Sequence, residues 1–301
     1  MSASNDNFLP LAKGLWSSLL ELGLADNYEL AWVDIGNSDE TRRWLSRHAP
    51  AVRQVNLIQQ CISFVERLTN VAYHRALLLR PFLPMILPSA DVIIWIDSDM
   101  WVQDRGSIDL FKSTVVAHPD AVAIAPILDV AYGPLFVQAE QFFEDNVAPV
   151  WSALYGESIA GDFSHRPLLS NGLFAIAGGS DIWAQWRNEI EKLWLANRAR
   201  PTRYVHVAEQ TALSYLLYTS SRFCVLEALH NFHANLGVLE RNAEGIVTTG
   251  GPDRRRVGVV HLSDIGTAGM ASEYVRRELL YRRGRYLDSS EREQLFNMQR
   301  I

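Results

Sequence analysis

Val92-Ile93-Ile94-Trp95-Ile96-Asp97-Ser98-Asp99 is the stretch on which the fold turns: five apolar residues run straight into two carboxylates separated by one small residue. A continuous apolar run of this length, bounded by polar residues, reads as a buried strand of a parallel sheet. Open α/β sheets bind ligands in the crevice beyond the carboxyl ends of their strands, and that is where the two carboxylates fall. Side chains alternate along a strand, so Asp97 and Asp99 share a face if the strand continues through them. Two hard oxygen donors in that place suit Mg²⁺ or Mn²⁺, and such a cation suits a diphosphate. Asp-x-Asp also occurs in ordinary turns, where Asp is favoured. The buried strand before it favours a site, because carboxylates near a core are costly without a partner.

The rest of the composition is that of a globular chain. Of 301 residues, 48% are hydrophobic and 21% charged, and no apolar segment approaches the length of a membrane span. The length allows one large α/β domain, and we read residues 1–301 as such a unit. The polar, acid-bearing N-terminus does not read as a secretory signal. A net charge of −6 offers no general attraction to nucleic acid or anionic lipid. Cys61 and Cys224 stand alone in apolar contexts, as buried thiols rather than a disulfide framework, and a reducing cytoplasm is the simplest home.

Strand and helix patterns alternate outward from the central stretch. Upstream, Phe8 to Leu22 has helical spacing, with Gly23 placed to end it, and Tyr28 to Asp34 reads as a strand. Ser38 opens a second helix, Val52 to Leu57 is a short strand, and Tyr73 to Leu87 is helical with Pro81 and Pro84 interrupting it. Downstream, Ala121 to Ile127 reads as a strand, Leu135 to Tyr155 as a helix, and Leu169 to Ala177 as a strand. Ser180 and Asp181 can cap a helix from Ile182 to Asn197, whose Trp183, Trp186, Ile190 and Leu193 share a core-facing side rather than forming a carbohydrate platform. Val205 to Tyr218 is a further helix, and Phe223 to Leu226 and Val257 to His261 are strands. The tail from Ala271 to Tyr286 is a helix with an arginine stripe, by default a solvated face, with peripheral membrane contact as the alternative. The alternation predicts an α/β fold with a mainly parallel central sheet flanked by helices. There is no glycine-rich dinucleotide turn and no phosphate-binding Gly-Lys-Ser/Thr loop, so phosphates must be held by metal and basic side chains.

Three later segments place polar residues where apolar elements would otherwise continue. Ser170-Asn171-Gly172 interrupts a strand, Glu209-Gln210 sits on a helix, and His261 ends the run Val257-Gly258-Val259-Val260. Singly, these are a turn, a solvated helix face and a strand-end histidine.

Taken in order, the motifs resemble those of the retaining glycosyltransferases of family 8, the glycogenin and bacterial galactosyltransferase type, which have the GT-A fold. Asn5-Asp6-Asn7-Phe8 and the helix after it resemble the family's opening nucleotide-binding turn. Arg80-Pro-Phe-Leu-Pro-Met-Ile-Leu-Pro leading to Asp97-Ser98-Asp99 is similar to its basic residue, proline-rich helix and metal motif. Ser170-Asn171-Gly172-Leu173-Phe174 resembles its Asn-x-Gly strand with the spacer missing, Glu209-Gln210-Thr211-Ala212-Leu213 its Asp-Gln-x-x-Leu helix, and His261 its late histidine. The likeness covers roughly residues 5 to 265. It implies a metal-dependent transferase that moves sugar from a nucleotide-sugar donor, a UDP-sugar, to a carbohydrate, lipid-linked or protein acceptor with retention. By the same resemblance Asp97, Asp99 and His261 hold Mn²⁺ or Mg²⁺. Asn5, Phe8, Arg80, Ser98, Asn171 and Gly172 bind the donor, with Phe8 stacking on the base. Gln210 and Glu209 lie at the reacting centre. Residues 1–127 form the nucleotide-binding half, 128–265 the acceptor and donor-sugar half, and 266–301 a helical tail.

The chain departs from the family pattern in three places. Glu209 stands where relatives have Asp. No lysine follows His261, and Arg254, Arg255 and Arg256 are the substitutes at hand. Only Met1-Ser2-Ala3-Ser4 precedes the opening turn, so the first strand is expected to be truncated, with poorer stability and weaker base binding. The competing readings are a degenerate nucleotide-binding module, a nucleotidyltransferase, and a haloacid-dehalogenase-like phosphatase. The phosphatase reading is opposed by Met100-Trp101 after the carboxylates.

Overall fold

Residues 1–71, 74–199 and 201–262 are described by a computed structural model. Seven strands make the central sheet. In chain order they are β1 (Ser2–Ser4), β2 (Leu30–Asp34), β3 (Val52–Asn56) and β4 (Val92–Ile96), then, after β5 (Met100–Val102), β6 (Val122–Pro126), β7 (Leu169–Ala177) and β8 (Phe223–Val225). β1, β2 and β3 are parallel neighbours in that order. β4, β7, β6 and β8 follow one another in a second group, in which β7 alone runs against the others.

Met1 joins the two groups. Its amino group donates to Ile94 O at 2.8 Å, and Ile96 N donates to Met1 O at 2.9 Å. This is the slanted pattern of a parallel pair. β1, Ser2–Ser4, lies mid-sheet with partners on both sides. The carboxyl ends of β1, β2 and β4 open on one edge.

Apolar clusters cover both faces. On one, Val33, Ile93, Trp95, Phe174 and Ile176 meet Phe64, Trp183, Trp186, Ile190 and Leu213 of the helices Gln59–Leu68, Ile182–Ala199 and Ala208–Ser220. On the other, Trp32, Ile96, Ala123, Leu173 and Ala175 meet Leu15, Trp16, Leu45, Ile108 and Phe111 of the helices Leu9–Glu21, Asp39–His48 and Arg105–Ala117. Trp183, Trp186, Ile190 and Leu193 are all buried, so their spacing is that of a core face. Gly23, at φ +65°, ends the first helix, and Ser38 Oγ accepts from Thr41 N as the cap of the second.

A second, smaller sheet sits beyond β4. β5 pairs antiparallel with β12 (Val259–His261), which pairs parallel with β9 (Phe232–His233). Between β9 and β12 in the chain, β10 (Leu239–Arg241) and β11 (Val247–Thr249) form a hairpin.

Three elements differ from the sequence expectation. The segment around Pro81 and Pro84 breaks into a helix His74–Leu78, a 3₁₀ turn Arg80–Phe82 and a helix Leu83–Ile86, with each proline in the first turn of its piece. A proline has no N–H to donate and clashes with the preceding turn, so it starts helices rather than continuing them. The helix expected over Leu135 to Tyr155 is a chain of short pieces around a π-turn at Phe143–Val147. Ser170-Asn171-Gly172 does not end its strand, and β7 runs through it. The basic tail helix lies outside the described residues. No helix among the described residues is long and apolar enough to cross a membrane.

Trp186 ties this framework together. It is fully buried against Phe174 of β7, and its Nε1 donates to Glu209 O at 3.0 Å. Trp186→Ala is expected to cost about 3–5 kcal/mol in urea unfolding, and Trp186→Phe clearly less. Equal, small effects would show that the indole does not hold the two helices to the sheet.

Candidate functional site

The strand β4 stops at Ile96. Asp97 to Met100 form a turn closed by Met100 N donating to Asp97 O at 3.2 Å. The two carboxylates therefore converge because of a turn and not because of strand alternation, which corrects the shared-face expectation. A turn lets both backbones bend round one point, whereas a strand would set the two side chains successive pleats apart.

β12 then delivers His261. It pairs with Met100 in register, and Leu262 N donates to Asp99 O at 3.0 Å. His261 Nε2 lies 3.4 Å from Asp99 Oδ1. One donor atom each from Asp97, Asp99 and His261 lies within 4.8 Å of the others. Two carboxylates and an imidazole at that spacing are a hard, three-ligand set of the kind that holds Mn²⁺ or Mg²⁺ with positions left for an incoming ligand. His261 Nδ1 is buried with no hydrogen-bond partner among the described residues.

β7 supplies the floor. It pairs with β6 through Phe174 and Ala175, then slips so that Ser170 faces Ala125, and the residues between bulge away from β6. Gly172 O accepts from Asp97 N at 2.8 Å. A Cβ at Gly172 would lie 2.6 Å from His261 Cε1, 2.7 Å from Met100 Cε and 3.0 Å from Asp97 Oδ2. Glycine is thus required by the close approach of the cluster itself.

Arg80 closes the site from beneath. The 3₁₀ turn places its guanidinium, only 2% exposed, between two carboxylates. Nη2 lies 2.5 Å from Asp97 Oδ1, and Nη1 lies 2.9 Å from Glu209 Oε2. Trp95 Nε1 donates to the same Asp97 oxygen at 2.6 Å, and the Trp95 ring faces the guanidinium. Asn171 Nδ2 donates to Glu209 Oε2. Burial pushes the Glu209 carboxyl up to about 7, with Arg80 pulling the other way. Burial likewise raises Asp97, against the pull of Arg80 and with a further push from Asp99. Burial opposes charge on His261, but the neighbouring Asp99 carboxylate outweighs it and raises the imidazole.

Seven of the residues singled out in the sequence are thus in mutual contact: Arg80, Asp97, Asp99, Asn171, Gly172, Glu209 and His261. Ser98 occupies the turn between the carboxylates, and Gln210 is half-buried one residue after Glu209. Asn5 and Phe8 lie one strand over, in the turn leaving β1, and Phe8 is 38% exposed. Asp6 pins that turn by accepting from Ser38 N at 3.0 Å and Thr41 Oγ1 at 2.6 Å. Arg254, Arg255 and Arg256 pair instead with Glu240, Glu227 and Asp104. Two contributors escaped the sequence reading. Trp95 was legible, since it stands among the last apolar residues of the strand, two positions before Asp97. His233, whose ring packs on His261, sits on a strand of two residues, too short for any period to show.

No protein-family model matches the chain, and no curated protein matches it by sequence. Solved structures do match. One is the galactosyltransferase LgtC in complex with donor and acceptor sugar analogues, at TM-score 0.58 and 12% identity over 97% of this chain and 98% of that one. A second is the bifunctional glycosyltransferase WbbM, at TM-score 0.59 and 14% identity over 99% of this chain and 51% of that one. A third is mouse xyloside xylosyltransferase 1, at TM-score 0.51 and 15% identity, covering 87% and 96%. These neighbours are GT-A glycosyltransferases, and at such identities the likeness establishes the fold: this chain has the GT-A fold.

Two outcomes follow from the geometry. Gly172→Ala is expected to weaken Mn²⁺ binding in titrations followed by electron paramagnetic resonance while costing about 1–3 kcal/mol of stability; unchanged Mn²⁺ affinity would separate Gly172 from the cluster. A proton on His261 competes with a cation, and Asp99 raises the imidazole. Mn²⁺ affinity should therefore be highest above the raised imidazole value and be lost as the pH falls through it, with His261→Ala removing the histidine's share of that slope.

Proposed function

We propose that this chain is a metal-dependent glycosyltransferase that moves a sugar, with retention, from a UDP-sugar to a carbohydrate, lipid-linked or protein acceptor. The observation that carries the reading is the Asp97, Asp99 and His261 cluster at the carboxyl edge of a GT-A sheet, with Arg80, Glu209 and Asn171 in one network against it. In this reading residues 1–127 take the nucleotide, and residues 128–265 meet the donor sugar and the acceptor. The two free cysteines, Cys61 and Cys224, fit a cytoplasmic setting.

Asp97, Asp99 and His261 would hold the cation, Mn²⁺ or Mg²⁺, whose contribution is to offset the charge that develops on the departing nucleoside diphosphate. Phe8 offers an exposed ring for the base, and Asn5 stands beside it in the same turn. Ser98, Asn171 and Gly172 line the approach to the cluster. Arg80 holds Asp97 and Glu209 in place and adds positive charge next to the phosphates. Gln210 and Glu209 supply oxygen atoms near the anomeric carbon, where a cationic transition state is stabilised by a carbonyl or carboxylate. Glu209 Oε2 is engaged by Arg80 and Asn171, so its influence on that carbon is exerted from a fixed position.

A second reading, a binder without turnover, is favoured by one observation. Arg254, Arg255 and Arg256, the substitutes at hand for the late lysine, are paired with acidic residues elsewhere. A donor screen distinguishes the two: transfer or slow donor hydrolysis marks an enzyme, and nucleotide binding alone marks a binder.

Calorimetry with UDP should show binding that requires Mn²⁺ and disappears with a chelator. Asp99→Ala and His261→Ala should each abolish that dependence. Metal dependence retained in both variants would remove the site from the account.

A further inference from the structure

A metal-binding histidine usually donates its second ring nitrogen to a carboxylate or carbonyl, which fixes the ring. His261 lacks this device, since its Nδ1 is buried without a partner among the described residues. Its ring rests instead on another imidazole. His233 is the register partner of His261 across the parallel β9–β12 pair, so the two side chains leave the same face. The ring centroids lie 4.3 Å apart at 44°.

His233 is itself held from several directions. Its Nε2 lies 2.8 Å from Ser170 Oγ, and its backbone N donates to Tyr132 Oη at 3.2 Å. Asn231 Nδ2 donates to the same Ser170 hydroxyl at 2.9 Å. Asn231 and His233 thus meet on one hydroxyl, which has a proton and two lone pairs to serve both. All of Ser170, Asn231, His233 and His261 are buried, so water does not loosen the chain of contacts. Ser170 directly precedes Asn171 and Gly172 on β7.

We propose that His233 is the positioning residue for His261: pinned by Ser170 and Asn231, it orients the His261 ring by packing and so sets the affinity of the metal cluster. The proposal rests on the reading of Asp97, Asp99 and His261 as a cation site. It also makes the strand that carries Asn171 and Gly172 part of the support of the metal ligand, through the contact from Ser170 to His233.

The test uses the full chain and Mn²⁺ alone, followed by electron paramagnetic resonance. His233→Ala should lower Mn²⁺ affinity about 10–100-fold and broaden the spectrum of the bound ion. Ser170→Ala should lower affinity less, and His233→Gln, which can still hydrogen-bond to Ser170, should recover part of the loss. His233→Ala and Ser170→Ala with the affinity of the unsubstituted chain, while His261→Ala loses binding, would overturn the proposal and leave the metal site standing. Unchanged affinity in His261→Ala would overturn both. A drop in melting temperature without a change in Mn²⁺ affinity would mark His233 as structural only, which also contradicts the proposal. Should His233→Ala fail to fold, His233→Gln and Ser170→Ala decide.

Discussion

The site depends on one buried guanidinium. Arg80 reaches Asp97 with one nitrogen and Glu209 with another, and so connects the Asp97–Met100 turn to a helix 129 residues away in sequence from Arg80 itself. Carboxylates taken out of water are costly, and two of them in one pocket repel. A planar fork with fixed donors answers both problems, which a lysine could not do with the same geometry. Asp97, Asp99 and Glu209 against Arg80 still leave two formal negative charges, the complement of one divalent cation. Burial is the main reason that Asp97 and Glu209 are raised, and the neighbouring carboxylates add to it against the pull of Arg80.

The fold is arranged so that this charge cluster rests on apolar packing. Trp95 and Trp186 stand on one covered face of the sheet. Each turns its N–H toward the site, Trp95 to Asp97 Oδ1 and Trp186 to Glu209 O. The core therefore orients the polar residues directly. β12 adds His261 to the cluster from the far end of the described chain. Its pairing with β5 fixes His261 against Asp99 before any side chain interacts. The bulge in β7 opens the space, and Gly172 keeps it open.

What could be read from the sequence follows the length of each apolar run. β4, β7 and the tryptophan-bearing helix carry enough consecutive or periodic residues to declare themselves, and the α/β class with a mainly parallel sheet follows from them. The helix Gln59–Leu68 has buried residues at Cys61, Phe64, Val65 and Leu68, a helical period that a search for long apolar runs passes over. β5, β9 and β12 have three residues or fewer, and their pairing is a tertiary fact. The order of Arg80, Asp97, Asp99, Asn171, Glu209 and His261 was legible through family resemblance, and the structure brings these residues into contact. The path by which Asp97 and Asp99 converge was not legible, because a turn and a strand end look alike over three residues. The pairing of Arg80 with Glu209 was hidden for a simpler reason: nothing local in either segment points to the other.

The most direct measurement is the position of a bound ion in the crystallised protein. Crystals soaked with Mn²⁺ and UDP should show one anomalous peak bounded by Asp97, Asp99 and His261, in contact with the diphosphate. Clear density for UDP with no manganese at those three residues, or manganese bound elsewhere on the chain, would contradict the account.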